Sequence, residues 1–278
     1  MTTATAALPL KMRSRLLGAA GVVSIIALWW VAAETVFSRV GVSPTGQGGS
    51  VPTPWEVVQV LITDGPAFYL SNLAVTGREF IEGYLWGNGI ALALALLVMV
   101  IPVIESTVVQ IAVISYCVPI VAIGPIVRIV IGTPAPGEPS GTAIFLAAML
   151  PFFTTVTGCL LGLRAADRTA LDLITAYGGS RFTQLVKVRL IAALPAILNA
   201  LKIAAPAAFL GAIIGEYLGG VDSGIGPALV NAQQNLNAPR AWALALVIGL
   251  TSGAAYFLIS LVSRFVAPWS RGTTGAAS

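Results

Sequence analysis

Apolar residues run along this chain in six long blocks, at residues 16–36, 83–103, 108–131, 142–163, 196–218 and 241–266. Each block has about the twenty residues that an α-helix needs to cross the hydrocarbon core of a bilayer. The pattern predicts an all-α, polytopic membrane protein with six transmembrane helices. The stretches between blocks have their own periods. In "WEVVQVLIT", 55–63, apolar residues recur at helical spacing with Glu56 and Gln59 off that face, which predicts a short helix lying in the membrane interface. Residues 70–82, "LSNLAVTGREFIE", read as an amphipathic helix leading into the second block. Residues 41–54 form a loop rich in Gly, Pro and Ser. "GTPAPGEPSG", 132–141, has three prolines and three glycines in ten residues and predicts a non-helical connection.

One connection is different in kind. Between the fourth and fifth blocks, residues 164–195 carry Arg164, Arg168, Arg181, Lys187 and Arg189. Residues 170–177 can form two helical turns. Gly178 and Gly179 supply positive-φ freedom to end them, and Ser180 can cap a second helix from Arg181. Pro195 then falls near the start of the fifth span, where a helix tolerates it. The pattern predicts a helix–turn–helix hairpin outside the bilayer. A loop of that length with internal caps reads as a docking element for a soluble partner rather than a plain connector.

Composition agrees with the blocks. Of 278 residues, 57% are hydrophobic and 9% charged, and the mean hydropathy is +0.91, whereas a soluble domain has about 25% charged residues. The net charge of +4 does not form the basic patch of a soluble nucleic-acid binder. Its distribution orients the chain instead. With the N-terminus inside, Lys11, Arg13, Arg15, Arg164, Arg168, Arg181, Lys187, Arg189, Lys202, Arg264 and Arg271 lie on the inner side, and Arg39, Arg78, Arg128 and Arg240 on the outer. Eleven of fifteen basic residues inside predicts cytoplasmic termini and a cytoplasmic hairpin. The first block is longer than a signal-peptide core and no small-x-small site follows it, so it reads as a retained span. The expected organisation is a cytoplasmic tail at 1–15, a transmembrane domain at 16–268 containing the insert, and a second cytoplasmic tail at 269–278.

Candidate chemistry is sparse. There is no His, and Cys117 and Cys159 lie in apolar segments without ligand spacing, so no metal site and no catalytic set is expected. Neither "GVDSGIG", 220–226, nor any other stretch has the Gly-x-x-x-x-Gly-Lys-Ser/Thr pattern that cradles nucleotide phosphates. Ionisable and polar residues at membrane depth are the remaining candidates. Glu216 reads either as a carboxylate reaching the outer interface or pairing with an Arg, or as part of a gate with Tyr217. Arg128 reads as an interface anchor or as an anion-facing charge near the outer mouth. Gln110, Ser115 and Tyr116 put polar groups on the third span, where Pro119 and Pro125 loosen the helix; that suits a translocation path or simple packing. Arg78, Glu79 and Glu82 read as a solvated surface cluster. Gly158-x-x-x-Gly162 and Gly211-x-x-x-Gly215 suit close helix packing.

The hairpin resembles the signature loop of permease subunits in bacterial ATP-binding-cassette importers, whose pattern is Glu-Ala-Ala, three residues, Gly, nine residues, Ile, any residue, Leu-Pro. Asp172, Leu173 and Ile174 stand at the first triplet, Gly178 at the glycine, Val188 at the isoleucine and Leu190 at the leucine, with Ile191 at the usual proline and Leu194–Pro195 following. "VPTPWEVVQVL", 51–61, "PIVAIGPIVRIVIG", 119–132, and "GEYLGGVDSGIGPALVNAQQ", 215–234, are similar to segments of the nitrate, sulfonate and taurine type of these permeases, so the resemblance covers about 51–266. It implies an importer subunit of the bacterial inner membrane that forms the pathway for a small anionic or heterocyclic solute. It implies coupling to an ATPase through Asp172, Ala176, Gly178, Gly179, Ser180, Arg181 and Lys187. The implied partners are a second copy or homologous permease, two ATPase subunits that use ATP and magnesium, and a solute-binding protein. This chain itself would hold no cofactor and be no enzyme. A stand-alone ion-coupled transporter is the alternative. It would need midplane carboxylates and structural repeats, and neither is visible.

Overall fold

The computed structural model describes residues 10–38, 40–41, 49–135 and 137–269, with side chains from Leu16 onward. The expected tails at 1–15 and 269–278, apart from the helix start at Leu10 and from Trp269, lie outside the described residues. So do Arg39, Arg271 and residues 42–48 of the 41–54 loop. Every regular element among the described residues is helical: α1 (Leu10–Glu34), α2 (Pro54–Val100), α3 (Glu105–Cys117), α4 (Ile120–Ile131), α5 (Gly141–Arg164), α6 (Arg168–Ala176), α7 (Arg181–Gln184), α8 (Leu190–Gly219), α9 (Ile225–Gln234) and α10 (Ala238–Val266). Among the described residues five helices are long and apolar enough to cross a membrane, or six spans result if the bent pair, Pro102–Cys117 with Ile120–Ile131, is one broken span.

Two expectations are corrected. The third span is not one helix: the chain bends by 99° between α3 and α4. Val118 is extended (φ −71°, ψ 127°) because a residue before proline is driven out of the helical region, and Pro119 is extended (φ −60°, ψ 118°) as the cap that opens α4. The short helix expected at 55–63 is present and ends at Gly65 (φ 73°, ψ 163°), before Pro66, and the helix expected at 70–82 leads without a break into the second span. The second arm of the hairpin does not end before the fifth span. It continues from α7 through a π-type turn, Leu185–Arg189, into α8, since no helix breaker intervenes before Pro195.

The chain divides into two compact units. The first joins residues up to Pro66 with Asn231–Ala245. Thr53 caps α2 reciprocally: its backbone N–H donates to Glu56 Oε2 at 2.7 Å, and the Glu56 N–H donates to Thr53 Oγ1 at 3.3 Å, a capping box with Pro54 at the first helical position. Trp29 stacks on Trp242 at 5.3 Å, and their indole N–H groups donate to Pro52 O and Ser50 O. The Arg240 guanidinium pairs with Asp64 beside a polar cleft of about 390 Å³.

The second unit comprises Ala67–Val230 and the chain from Leu246. Its centre is the crossing of α5 and α8. Between apolar helices in lipid, close van der Waals packing replaces the hydrophobic drive, so small residues line the seam. A Cβ on Gly158 would meet Ala200 Cβ at 2.8 Å, one on Gly162 would meet Ala196 Cβ at 2.6 Å, one on Gly211 would meet Leu146 O at 2.5 Å, and one on Gly215 would collide with the Ala143 backbone. Both Gly-x-x-x-Gly pairs thus serve this one seam. α2 packs beside it: Phe80 meets Phe209 edge-on at 5.6 Å, Tyr84 donates to Leu201 O at 3.1 Å, and Thr155 donates to Asn88 Oδ1 at 2.6 Å in the buried interior.

Candidate functional site

The insert folds as a hairpin built from local capping chemistry. Asp167 caps α6, accepting from the N–H groups of Thr169 and Ala170. At the other end the Gly178 N–H donates to Thr175 O at 2.9 Å and the Gly179 N–H to Ile174 O at 2.8 Å, the paired bonds of a Schellman stop. Gly178 has φ +76°, which a side chain disfavours. Gly179 needs its missing side chain for another reason, because a Cβ there would come 2.8 Å from Ile174 O. Ser180 accepts from the Thr183 N–H at 3.3 Å and opens α7. Gln184 then staples the two arms, donating to Thr175 Oγ1 at 2.8 Å and Leu171 O at 3.2 Å. At the base, Arg189 donates to Leu163 O at 3.1 Å and Arg164 pairs with Glu105.

The seven hairpin candidates all lie in this element. Asp172, Ala176, Gly178, Ser180, Arg181 and Lys187 are exposed and Gly179 is half-buried. Beside these candidates lies an apolar surface that they do not include: Leu173, Tyr177 and Phe182 are 57%, 85% and 62% exposed. For Leu173 the signal was present in the strong helical amphipathicity of 168–176, whose Leu171 and Ile174 are half-buried.

The span candidates separate into two groups. Gln110, Tyr116, Arg128 and Tyr217 are exposed on the second unit, and Ser115 is half-buried and donates to Ala112 O. Tyr116 stacks on Phe153 at 5.0 Å. The Arg128 guanidinium lies over Gly220, the left-handed cap (φ 63°, ψ 48°) that ends α8, where a cation offsets the unpaired carbonyls of a helix C-terminus. No acidic side chain pairs with Arg128 among the described residues.

Glu216 is on the other side of α8. It is 1% exposed, and no basic side chain pairs with it among the described residues. Its Oε1 accepts from Thr76 Oγ1 at 2.6 Å and its Oε2 from the Gly226 N–H at 2.6 Å, in the first turn of α9. Thr76 Oγ1 in turn accepts from the Ile225 N–H at 2.9 Å, and Asn72 Oδ1 from the Gly224 N–H at 3.2 Å. A side chain at Gly224 (φ +124°) would run into the Glu216 carboxyl, and a Cβ on Gly226 would lie 2.8 Å from Glu216 Cβ. "GVDSGIG" is therefore a glycine cradle around a carboxylate.

Glu79 corrects an expectation. Only Arg78 and Glu82 of its cluster form the solvated pair, at 2.9 Å. Glu79 is fully buried and accepts from the Ser140 N–H, at the cap of α5, at 2.5 Å. Asn72, Thr76, Glu79 and Gly83 share one helical face at spacings of four, three and four. That periodicity is the signal by which Thr76 and Glu79 could have been found.

Residues 87–272 match the family of binding-protein-dependent transport system inner membrane components. Among individual proteins, the chain is 31% identical over 220 residues, covering 79% of it and 86% of the relative, to a probable ABC transporter permease protein of Haemophilus influenzae. It is 22% identical over 247 residues, 89% of this chain and 93% of the relative, to the formylaminopyrimidine transport permease protein ThiX of Halalkalibacterium halodurans. It is 24% identical over 156 residues, 56% of each chain, to the riboflavin transport system permease protein RibX of Chloroflexus aurantiacus. This family supplies transport subunits, not catalytic ones, and its members work with an ATPase and a binding protein, which removes the stand-alone transporter reading. By the family match and the extent of the likeness, the chain belongs to the binding-protein-dependent inner membrane components and is a permease subunit of an ABC importer.

Proposed function

We propose that this permease forms the translocation pathway for a small heterocyclic or anionic solute handed over by a binding protein, together with a second copy or a homologous permease. Two ATPase subunits dock on the pair of permeases, one of them on the 164–195 hairpin of this chain, and use ATP and magnesium. The permease holds no cofactor. Both termini and the hairpin face the cytoplasm, on the side where basic residues gather. The names of two relatives, a formylaminopyrimidine permease and a riboflavin permease, favour a nitrogen heterocycle; Arg128, exposed and without an acidic partner among the described residues, favours a solute or substituent with negative charge.

The observation that carries the coupling role is the exposed apolar surface of the hairpin. Elsewhere an exposed Leu or Phe on a span faces lipid at no cost. On a polar insert outside the apolar blocks, Leu173, Tyr177 and Phe182 face water until a partner covers them. Buried aromatic anchors of an interface contribute about 2 kcal/mol or more each. Tyr177→Ser and Phe182→Ser are therefore expected to reduce co-purification of the ATPase by roughly tenfold or more, with unchanged insertion of the permease. ATPase recovery equal to wild type from both variants would remove the hairpin from the coupling interface.

A further inference from the structure

Two carboxyl groups, Glu79 on α2 and Glu216 on α8, are buried side by side in the second unit, at 0% and 1% exposure. Glu79 stands one turn along α2 from Thr76, whose hydroxyl donates to Glu216 Oε1 at 2.6 Å, so the two carboxyls face each other beside that contact. Three of the four oxygens have donors: Thr76 Oγ1 and the Gly226 N–H serve Glu216, and the Ser140 N–H serves Glu79. The fourth, Glu79 Oε2, is buried with no donor. The charged groups around the pair give no relief. On α2, Glu82 is acidic and Arg78 is engaged with it; Asp222 is the one charged residue of the α8–α9 loop, Tyr217 and Lys202 are the titratable neighbours along α8, and α5 has no charged residue before Arg164. No Lys or Arg forms a salt bridge with either carboxyl among the described residues.

Two like charges at this separation, out of water and without a cation, are mutually repulsive as well as desolvated. A carboxyl oxygen facing another carboxyl oxygen can be satisfied only by a positive ligand between them. We propose that Glu79 and Glu216 bind one proton between them, and that this proton locks the α8–α9 loop to α2 and to the cap of α5. The proton sits on Glu79 Oε2 and is donated to Glu216, which keeps the carboxylate character that its two other donors demand. No bond other than the O–H···O link forms or breaks. A metal ion fits less well, since a hard cation collects six or more oxygens and three of these four already accept from N–H or O–H groups. The lock has a mechanical consequence: removing the bound proton leaves paired anions directly under the Gly224–Gly226 cradle and pushes the loop away from Thr76. This inference concerns the interior of the permease and stands apart from the hairpin's role in coupling.

The test is infrared difference spectroscopy on the purified, assembled transporter, wild type against Glu79→Gln. The expected result is a carboxylic-acid C=O band in wild type at neutral pH that shifts in D2O and is lost in the variant. Gln supplies an N–H donor where the O–H stood, so Glu79→Gln is expected to keep the assembled complex, whereas Glu79→Leu is expected to lower its yield severalfold. If Glu79→Gln does not assemble, Glu216→Gln serves for the same measurement, because it removes one of the two carboxyls and with it the need for a shared proton. An unchanged acid band in the variant that is measured overturns the proposal. So does a stability shift on adding sodium chloride, relative to choline chloride, that the variant lacks, for then the ligand is a metal ion.

Discussion

Thr76 and Glu216 stand 140 positions apart in sequence, and the Thr76 hydroxyl donates to Glu216 Oε1 at 2.6 Å. The same hydroxyl accepts from the Ile225 N–H at 2.9 Å, so one oxygen joins α2, the end of α8 and the start of α9. Thr76→Val keeps the shape and removes both bonds, leaving a buried N–H and a buried carboxylate oxygen short of partners. The expected cost is about 1–3 kcal/mol, read as a lower melting temperature of the purified permease. Thr76→Ser is expected to recover most of it. Equal melting of the Val variant and wild type would mean that the network contributes nothing to stability.

Gly178 tests the hairpin through its backbone. Nothing lies within 4 Å of a Cβ placed there, so the penalty comes only from φ +76°, about 1 kcal/mol or more for a residue with a side chain. Gly178→Val is expected to leave membrane insertion intact while weakening ATPase co-purification or uncoupling hydrolysis from uptake in reconstituted vesicles. Normal binding, hydrolysis and uptake in that variant would return the hairpin to a simple connector.

The seam between α5 and α8 is expected to be less forgiving. Gly211→Leu forces a side chain into the Leu146 carbonyl and the Ala147 backbone, where no flexible group can yield. Overpacking of this kind costs about 1–3 kcal/mol, occasionally more. Loss of folded permease from the membrane fraction is the expected outcome, with Gly249→Leu, where a Cβ meets nothing within 4 Å, as the tolerated control.

Orientation can be read by labelling single cysteines in a Cys117→Ala background, because Cys117 is exposed. Ser140 is unsuitable, being 1% exposed and the cap of α5. Glu138 and Arg181 are both exposed. A cysteine at 138 is expected to react with an impermeant reagent from outside, and one at 181 only after the membrane is opened. Reaction of both from one side would overturn the cytoplasmic placement of the hairpin.

Which parts of this protein were legible in the chain follows from the range of the forces involved. The spans, the non-helical 132–141 connection, the Gly178 stop and the Ser180 cap depend on residues within a few positions of one another, so hydrophobic period and turn chemistry determined them. The 99° bend at Pro119 and the unbroken run from Arg181 into α8 were harder. A proline marks a weak point, but whether the helix bends there depends on what packs against it.

The spacing of Asn72, Thr76, Glu79 and Gly83 marks a shared helical face, but the pairing of Glu79 with Glu216 could not be read from neighbours in sequence. Glu79 sits one residue from Arg78 and three from Glu82, and local reasoning joins all three in a solvated cluster. Only the packing of α2 against α5 and α8 turns Glu79 inward toward Ser140 and Glu216, because the face it shares with Thr76 and Gly83 is the one those helices cover. The charge pattern of the chain determined which segments could lie in lipid. The tertiary structure alone decided that two of its few acids would meet there, since burial is a property of what surrounds a side chain and not of the residues that flank it.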